Sequence, residues 1–250
     1  MTHIIGKKLA IVMALAVATG LTACSDSSNS RRAPVEPPVV EPAPEPVATK
    51  QFEISVSNLT AGQPLSPIAV FILDDAQPNA FSVGTPATAA LELMAESGDN
   101  SGLLDAIDSL GEAGGAAPVG PGGSDSFELV VEADDDTALS LTVLTMLVNT
   151  NDAFTGVNGA DISDLAVGAS MTFRTPSYDS GTEANSEAAG TIPGPVDGGE
   201  GFNAARDDVA DQVTMHGGVV TSADGYSGSI LGQQHRWDNP VTTVSIMRVQ

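Results

Sequence analysis

Seven short runs of apolar and β-branched residues recur between Phe52 and Val249, and the five between the first and the last are bounded by Gly, Pro, Asn or Asp. The first alternates polar and apolar residues, which is the period of a strand with one buried face. The runs are Phe52–Val56, Pro67–Leu73, Ser126–Glu132, Leu139–Val148, Ala169–Arg174, Gln212–His216 and Val241–Val249. Their spacing is irregular, and strands do not alternate with helices. The sequence therefore predicts an all-β fold, an antiparallel β-sandwich rather than a doubly wound parallel sheet.

Two segments depart from the strand pattern. Ala87–Ala95, which follows Thr85-Pro86, and Ser101–Leu110 carry apolar residues near helical spacing, so we predict two short helices on one insertion. The glycine-rich stretches Gly111–Gly123 and Ser177–Gly201 are interpreted as loops. Loops of that length either bind ligands or form mobile surface.

The first 23 residues have the features of a bacterial lipoprotein signal. Lys7 and Lys8 precede the apolar run Leu9–Thr19, which is too short to span a bilayer comfortably, and small residues lead up to Cys24. Cleavage before Cys24 would leave its thiol as the site of lipid attachment and membrane anchoring. An ordinary signal peptide that happens to contain a cysteine is the alternative. Ser25 resembles the sorting signal for the outer membrane, if the host has two membranes.

Residues 24–50 are predicted to form a tether, and residues 51–250 the folded domain. The tether is rich in Ser and Asn and then in Pro, a composition that gives a flexible segment followed by an extended one. A proline-rich recognition ligand is the alternative interpretation. The chain has one cysteine, Cys24, so the domain has no disulfide and depends on its core and on any bound metal for stability.

The charge of the chain is strongly negative. Nine basic residues stand against 32 acidic ones, for a net charge of −23, which becomes −25 when Lys7 and Lys8 leave with the signal. No lysine follows Lys50. Nucleic acid is excluded as a partner, because phosphate binding needs a positive patch. The acidity is either general solvation or includes carboxylate clusters that hold hard cations such as calcium.

The sequence gives little support for an enzyme. His216 and His235 have no metal-binding spacing, and His216 falls on a predicted strand, where a hydrogen-bonded structural role is expected. Gly225–Ser229 approaches the nucleophile-elbow motif but has Ser229 where glycine is required. We therefore expect no catalytic residues.

Val148–Gly159 combines oxygen-bearing side chains with glycines directly after a hydrophobic strand. Calcium takes six to eight oxygen ligands, and Asp152 together with carbonyls freed by Gly156 and Gly159 could supply several. The order of residues is not that of an EF-hand. A plain turn is the alternative.

Several segments, taken in order, resemble the spondin domain, and bacterial members of that family in particular. They are Phe52–Pro67, Phe81–Gly84, Leu93–Asp99, Asn149–Gly156, Tyr178–Asn185 and Trp237–Val241, and together they cover nearly the whole domain. In animals the family occurs in secreted matrix proteins such as F-spondin and mindin. The resemblance implies a β-sandwich like that of calcium-dependent membrane-targeting domains, with calcium binding and a role in cell adhesion.

The resemblance also suggests calcium ligands in this chain. Asp152 matches the family's Ser-Pro-Asp-Trp motif, although the aromatic residue is shifted to Phe154. Glu96 is the second candidate, with a solvated carboxylate at a helix end as the alternative. Asp179 is the third, with a turn aspartate that accepts backbone hydrogen bonds as the alternative.

These observations lead to one functional hypothesis and two alternatives. The hypothesis is a lipid-anchored calcium-binding module of the cell envelope, in the outer membrane if the host is Gram-negative, that adheres to a protein or glycan partner. A secreted polysaccharide hydrolase is one alternative, and it would need two carboxylates facing each other across a cleft. A purely structural envelope protein is the other. Fold family alone does not decide between them.

Overall fold

Ten strands form two antiparallel sheets in the computed structural model, which describes residues 48–74, 77–208 and 210–250. The predicted signal, Cys24 and the tether up to residue 47 lie outside these residues. The strands are β1 Thr49–Asn58, β2 Ala69–Asp74, β3 Gly111–Gly114, β4 Ser124–Glu132, β5 Leu139–Met146, β6 Ala153–Asp161, β7 Ser170–Thr175, β8 Ser177–Asp179, β9 Thr214–Met215 and β10 Thr242–Arg248. One sheet has the order β4-β1-β10-β7, and the other β3-β2-β5-β6-β8-β9.

The β-sandwich predicted from the sequence is confirmed, and it includes two helices, α1 Ala89–Ser97 and α2 Ser101–Ala106. No helix in the described ranges is both long enough and apolar enough to traverse a lipid bilayer.

The alternation in β1 places one set of side chains between the sheets. Phe52, Ile54 and Val56 are buried there, and Ile54 and Val56 pair across to Ile246 and Val244 of β10. Residues 49 and 50, at the end of the predicted tether, already belong to β1. Lys50 is 3 % exposed, and its Nζ donates to the carbonyl oxygen of Asp134 at 2.8 Å.

Every residue of β5 is buried, including the polar residues Ser140, Thr142 and Thr145 that interrupt its apolar sequence. One face contributes Leu141 and Val143 to the core between the sheets. The opposite face contributes Leu144 and Met146 to a second core, which α1 covers with Leu91 and Met94. A strand covered on both faces does not alternate.

Helix α1 has clear start and stop signals. The Thr88 hydroxyl accepts a hydrogen bond from the Leu91 N–H at 3.2 Å, and Gly98 ends the helix with φ = 73°. Thr is a favoured N-cap, and Gly adopts a left-handed φ at little cost. The helix starts two residues later than the pattern predicts, and α2 ends at Ala106 rather than at Leu110.

Three strands lie where the sequence predicts loops, namely β3, β6 and β8. Strand β6 contains Gly156, Asn158 and Gly159, residue types that are depleted in strands. Packing requires the first glycine, because a Cβ on Gly156 would lie 1.8 Å from the Val143 carbonyl oxygen. A glycine where another backbone approaches closely is a known exception to strand propensity.

The chain enters and leaves the sandwich in the same region. Thr49 begins β1, Arg248 ends β10, and the Val249 N–H donates to the Gln51 carbonyl. The opposite end, which we call the distal end, is marked by Asn58 at the end of β1, Leu147 after β5 and Ser177 at the start of β8. The predicted calcium ligand Asp152 belongs to the distal end.

Candidate metal centre

A short turn between β5 and β6 positions Asp152. The Thr150 hydroxyl donates to the Leu147 carbonyl at 2.6 Å and accepts from the Ala153 N–H at 3.0 Å, which closes the turn. Strand β6 therefore begins at Ala153. Our expectation that Gly156 and Gly159 belong to a calcium-binding loop is wrong, because both lie within β6.

An aromatic cluster fixes the base of this region. Phe154 of β6 pairs directly with Tyr178 of β8, and their ring centroids are 5.4 Å apart. Phe81 packs edge-on against Phe154 at 5.0 Å. Asp152 lies two residues before Phe154, and Asp179 directly follows Tyr178. The pairing of the two aromatic residues therefore brings the two aspartates close together.

The Asp152 carboxylate is buried, and its two oxygens have different environments. Oδ2 accepts hydrogen bonds from the Ser180 hydroxyl at 2.8 Å, the Thr182 N–H at 2.9 Å and the Glu183 N–H at 3.1 Å. Oδ1 has no hydrogen-bond partner. One oxygen thus fixes the side chain, and the other is available to a ligand.

Glu96 reaches the same region from the last turn of α1. Leu91, Met94 and Ala95 hold that helix in the second core, and the carboxylate of Glu96 is fully buried with them. Its Oε2 accepts a hydrogen bond from the Asn203 N–H at 2.9 Å, whereas its Oε1 has no partner. The alternative of a solvated helix-end carboxylate does not describe this side chain.

Glu183 is a third buried carboxylate, and the sequence reasoning missed it. Its Oε2 also has no hydrogen-bond partner, and the residue is 9 % exposed. The segment Tyr178–Asn185 was part of the family resemblance, but only its first acid, Asp179, was selected. The segment itself is the only signal for Glu183, because the sequence does not show which of its two acids is buried with an unpaired oxygen.

Oxygens of Glu96, Asp152 and Glu183 are the only buried side-chain polar atoms without a hydrogen-bond partner in the part of the chain that the structure describes. Leaving a buried polar group unpaired costs about 1–3 kcal/mol, and more if it is charged. Unpaired groups of this kind are few in folded proteins, so three on neighbouring carboxylates call for an explanation.

The three carboxylates influence one another. Thr182 connects two of them, since its N–H donates to Asp152 and its hydroxyl lowers the pKa of Glu96. Burial, and then the negative charges of Glu96 and Asp152, raise the pKa of Glu183 to about 8. Burial also raises the pKa of Glu96, and burial followed by the charge of Asp179 raises that of Asp152. The pKa values shift in the direction expected for buried acids, and for Glu96 the effect of burial exceeds the opposing charge of Arg206.

Asp179 lies beside this group, but its oxygens are occupied. Oδ1 accepts from the Gly181 N–H at 2.8 Å, and Oδ2 accepts from the Asn185 side-chain amide at 2.6 Å. This is the turn aspartate that we gave as the alternative for Asp179. Its charge acts on Asp152, as the raised pKa of Asp152 indicates.

A second acidic helix residue has a different partner. Glu92, one turn before Glu96, forms a salt bridge at 2.7 Å with Arg206, which also pairs with Asp211 at 2.7 Å. The guanidinium is therefore committed to these two acids. Within the described ranges, neither Asp152 nor Glu183 forms a salt bridge.

The donor set consists of oxygen atoms, which suits a hard cation such as calcium. Within the described ranges, no group of three or more His, Cys, Asp or Glu side chains is already arranged to hold a metal ion. Binding would therefore require the free carboxylate oxygens to turn toward a common centre. We call Glu96, Asp152 and Glu183 the carboxylate triad.

Comparison with known proteins adds no relative. Neither a protein-family model nor a curated protein matches this sequence. The function must therefore be argued from the site itself.

Proposed function

We propose that the protein is a lipid-anchored, calcium-binding adhesion module of the bacterial cell envelope. The observation that carries this proposal is the set of three unpartnered oxygens on the carboxylate triad. A calcium ion would satisfy these oxygens and neutralise the charges of Glu96 and Asp152, which add to the effect of burial in raising the pKa of Glu183. The resemblance to the spondin domain supports the same ion and the adhesive role.

The proposed ion would join four separate parts of the chain at the distal end. Asp152 ends the β5–β6 turn, Glu183 follows β8, and Glu96 lies in the last turn of α1. The fourth part is the segment around Asn203, whose N–H is already bonded to Glu96. A cation bound to the triad would hold these parts together and give a partner a rigid surface. This is how metal binding stabilises a folded state.

The position of the triad suits an anchored protein. The predicted tether precedes Thr49, and the triad lies at the opposite end of the sandwich from that residue. If lipid on Cys24 anchors the domain, the chain enters the fold at Thr49 and the triad lies at the far end of the sandwich from that residue.

Calcium titration with thermal melting of the full-length chain in detergent tests the proposal. At a hundredfold excess of calcium over its dissociation constant, binding adds about 2.7 kcal/mol, which is a rise in melting temperature of roughly 5–10 °C. Asp152→Asn should abolish this gain. Asp105→Asn, an exposed carboxylate on α2, is the matched control and should keep it. Equal melting of the unmodified chain in calcium and in chelator would refute calcium binding and favour the purely structural alternative.

A further inference from the structure

Two cavities at the distal end adjoin at Gly217 and Gly218. One, of about 680 Å³, is lined by Thr60, Trp237 and Asp238 among others. The second, of about 580 Å³, is lined by Glu187, His216 and Tyr226 among others. Because both glycines line both cavities, we treat the two as one feature, the Gly217 groove.

Trp237 gives the groove a fixed aromatic wall. Its Nε1–H donates to the Ser177 hydroxyl at 2.9 Å, and its ring packs against His216 with centroids 5.3 Å apart. His216 is itself held, since its Nδ1 accepts from the Gly218 N–H at 2.9 Å and its Nε2 lies 3.2 Å from Oδ1 of Asn185. The hydrogen-bonded role expected for His216 is thus seen, and it orients the tryptophan.

Gly217 leaves the floor of the groove open. A Cβ on this residue would meet no atom within 4 Å, and its φ is not in the left-handed region. Neither its N–H nor its carbonyl makes a hydrogen bond with another described residue. The floor therefore offers an unused backbone donor and acceptor beside an aromatic ring.

Two of the three acidic side chains that line the groove are already engaged, whereas the third, Asp238, is exposed and forms no salt bridge within the described ranges. Asp224 forms an ion pair with Arg236. The Glu187 carboxylate accepts from the Val220 N–H at 2.7 Å and from the Ser229 hydroxyl at 2.8 Å. A basic peptide would therefore find a free counter-charge only on Asp238, and none on Asp224 or Glu187. An anionic ligand would be repelled by a chain of net charge −23.

We propose that the Gly217 groove binds an uncharged oligosaccharide, with Trp237 contacting the apolar face of a sugar ring. Aromatic rings offer apolar contact area at the boundary with water, and a few polar groups around a cavity orient the ligand. The Gly217 peptide and the Asp238 carboxylate would bond to sugar hydroxyls. Two adjoining cavities suit linked sugar units better than one monosaccharide.

Trp237 is the only tryptophan in the chain, so its fluorescence reports on this groove directly. The full-length chain in detergent would be titrated with neutral hexasaccharides of glucose, N-acetylglucosamine, galactose and mannose, both in calcium and in chelator. We expect a saturable change in emission with at least one of them. No response to any of the four under either condition would overturn the proposal. A response to a basic peptide with none to the saccharides would do the same.

Two variants place the binding in the groove. Gly217→Leu should fill the floor and weaken binding at least about tenfold. The matched control is Gly120→Leu, because Gly120 also has open space and an ordinary φ but lines a different cavity. Tyr226→Ala, which alters an exposed side chain of the second cavity, should weaken binding without affecting the fold. Unchanged binding in both groove variants would overturn the assignment.

The saccharide proposal does not depend on calcium. If calcium fails to shift the melting temperature but Trp237 still responds to a saccharide, calcium binding by the carboxylate triad is refuted and saccharide binding by the Gly217 groove is supported. If calcium raises the melting temperature but no saccharide changes the Trp237 emission, saccharide binding is refuted and calcium binding is supported.

Discussion

The backbone N–H of Glu183 donates a hydrogen bond to Oδ2 of Asp152 at 3.1 Å, while the Asp152 charge helps to raise the pKa of the Glu183 carboxyl group. The backbone thus holds two acids together although their side chains repel each other. Such an arrangement costs stability unless a proton or a cation compensates it.

The calcium-free protein should lose stability through Glu183 as the pH rises from about 5 to 8. The pKa of this carboxyl is about 8 in the folded chain against an ordinary value of 4.5. Between these values the folded state holds the proton and the unfolded state does not, so stability falls with rising pH. The loss of stability begins above pH 4.5, the pKa of Glu183 in the unfolded chain, and levels off above about pH 8, its pKa in the folded chain.

Thermal melting in chelator across this pH range measures the effect. Glu183→Gln should show a shallower fall than the unmodified chain, because its amide cannot ionise. Identical slopes for the two proteins would contradict the raised pKa.

Calcium binding should release protons near neutral pH. Ionised carboxylates are the ligands, and the raised pKa values of Glu183 and Asp152 mean that these acids carry protons in the calcium-free state. Calcium affinity should therefore increase between about pH 6 and 8. Calorimetric titration in two buffers of different ionisation enthalpy would give the number of protons released. Equal apparent enthalpies in the two buffers would argue against displacement of protons.

Removing the charge of Arg206 should destabilise the fold. Its guanidinium bonds to Glu92 and to the Ala87 carbonyl at 2.8 Å, and thus ties its segment to α1. We expect Arg206→Gln to lower the free energy of unfolding by about 2 kcal/mol, the magnitude of a lost charged hydrogen bond. Denaturant unfolding measures this loss. Arg174→Gln, which removes an exposed arginine on β7, should change stability by less than about 0.5 kcal/mol. Similar losses in both variants would contradict a specific role for Arg206.

Gly156→Ala should be strongly destabilising, because the added Cβ would clash with the Val143 carbonyl and disturb the pairing of β5 and β6. We expect a loss of at least about 3 kcal/mol in denaturant unfolding, near the upper range for single substitutions. The control is Gly120→Ala, which meets no atom and should be neutral or stabilise by up to about 1 kcal/mol. If Gly156→Ala were as stable as the control, the close approach of the two strands would be wrong.

Local sequence patterns predicted the strands whose side chains face a single core. Phe52 and Ile54 alternate with polar neighbours, so β1 could be recognised without knowledge of its partners. Strand β6 could not, because its glycine is required by the Val143 backbone, which lies elsewhere in the sequence. Strand β3 is similar, since it consists of Gly-Glu-Ala-Gly and pairs with the strongly apolar β2.

The candidate site was only partly predictable. Composition suggested Asp152 as an acid after a hydrophobic strand, and the family resemblance added Glu96. Whether an acid is buried and unpaired depends on contacts between distant segments, such as the hydrogen bond from Asn203 to Glu96. For that reason Glu183 could not be distinguished from Asp179 before the fold was known.

A crystal structure of the protein grown with calcium would test the central claim most directly. The account predicts an ion at about 2.3–2.6 Å from oxygens of Glu96, Asp152 and Glu183. Density for water alone beside the Asp152 carboxylate, in crystals saturated with calcium, would contradict it.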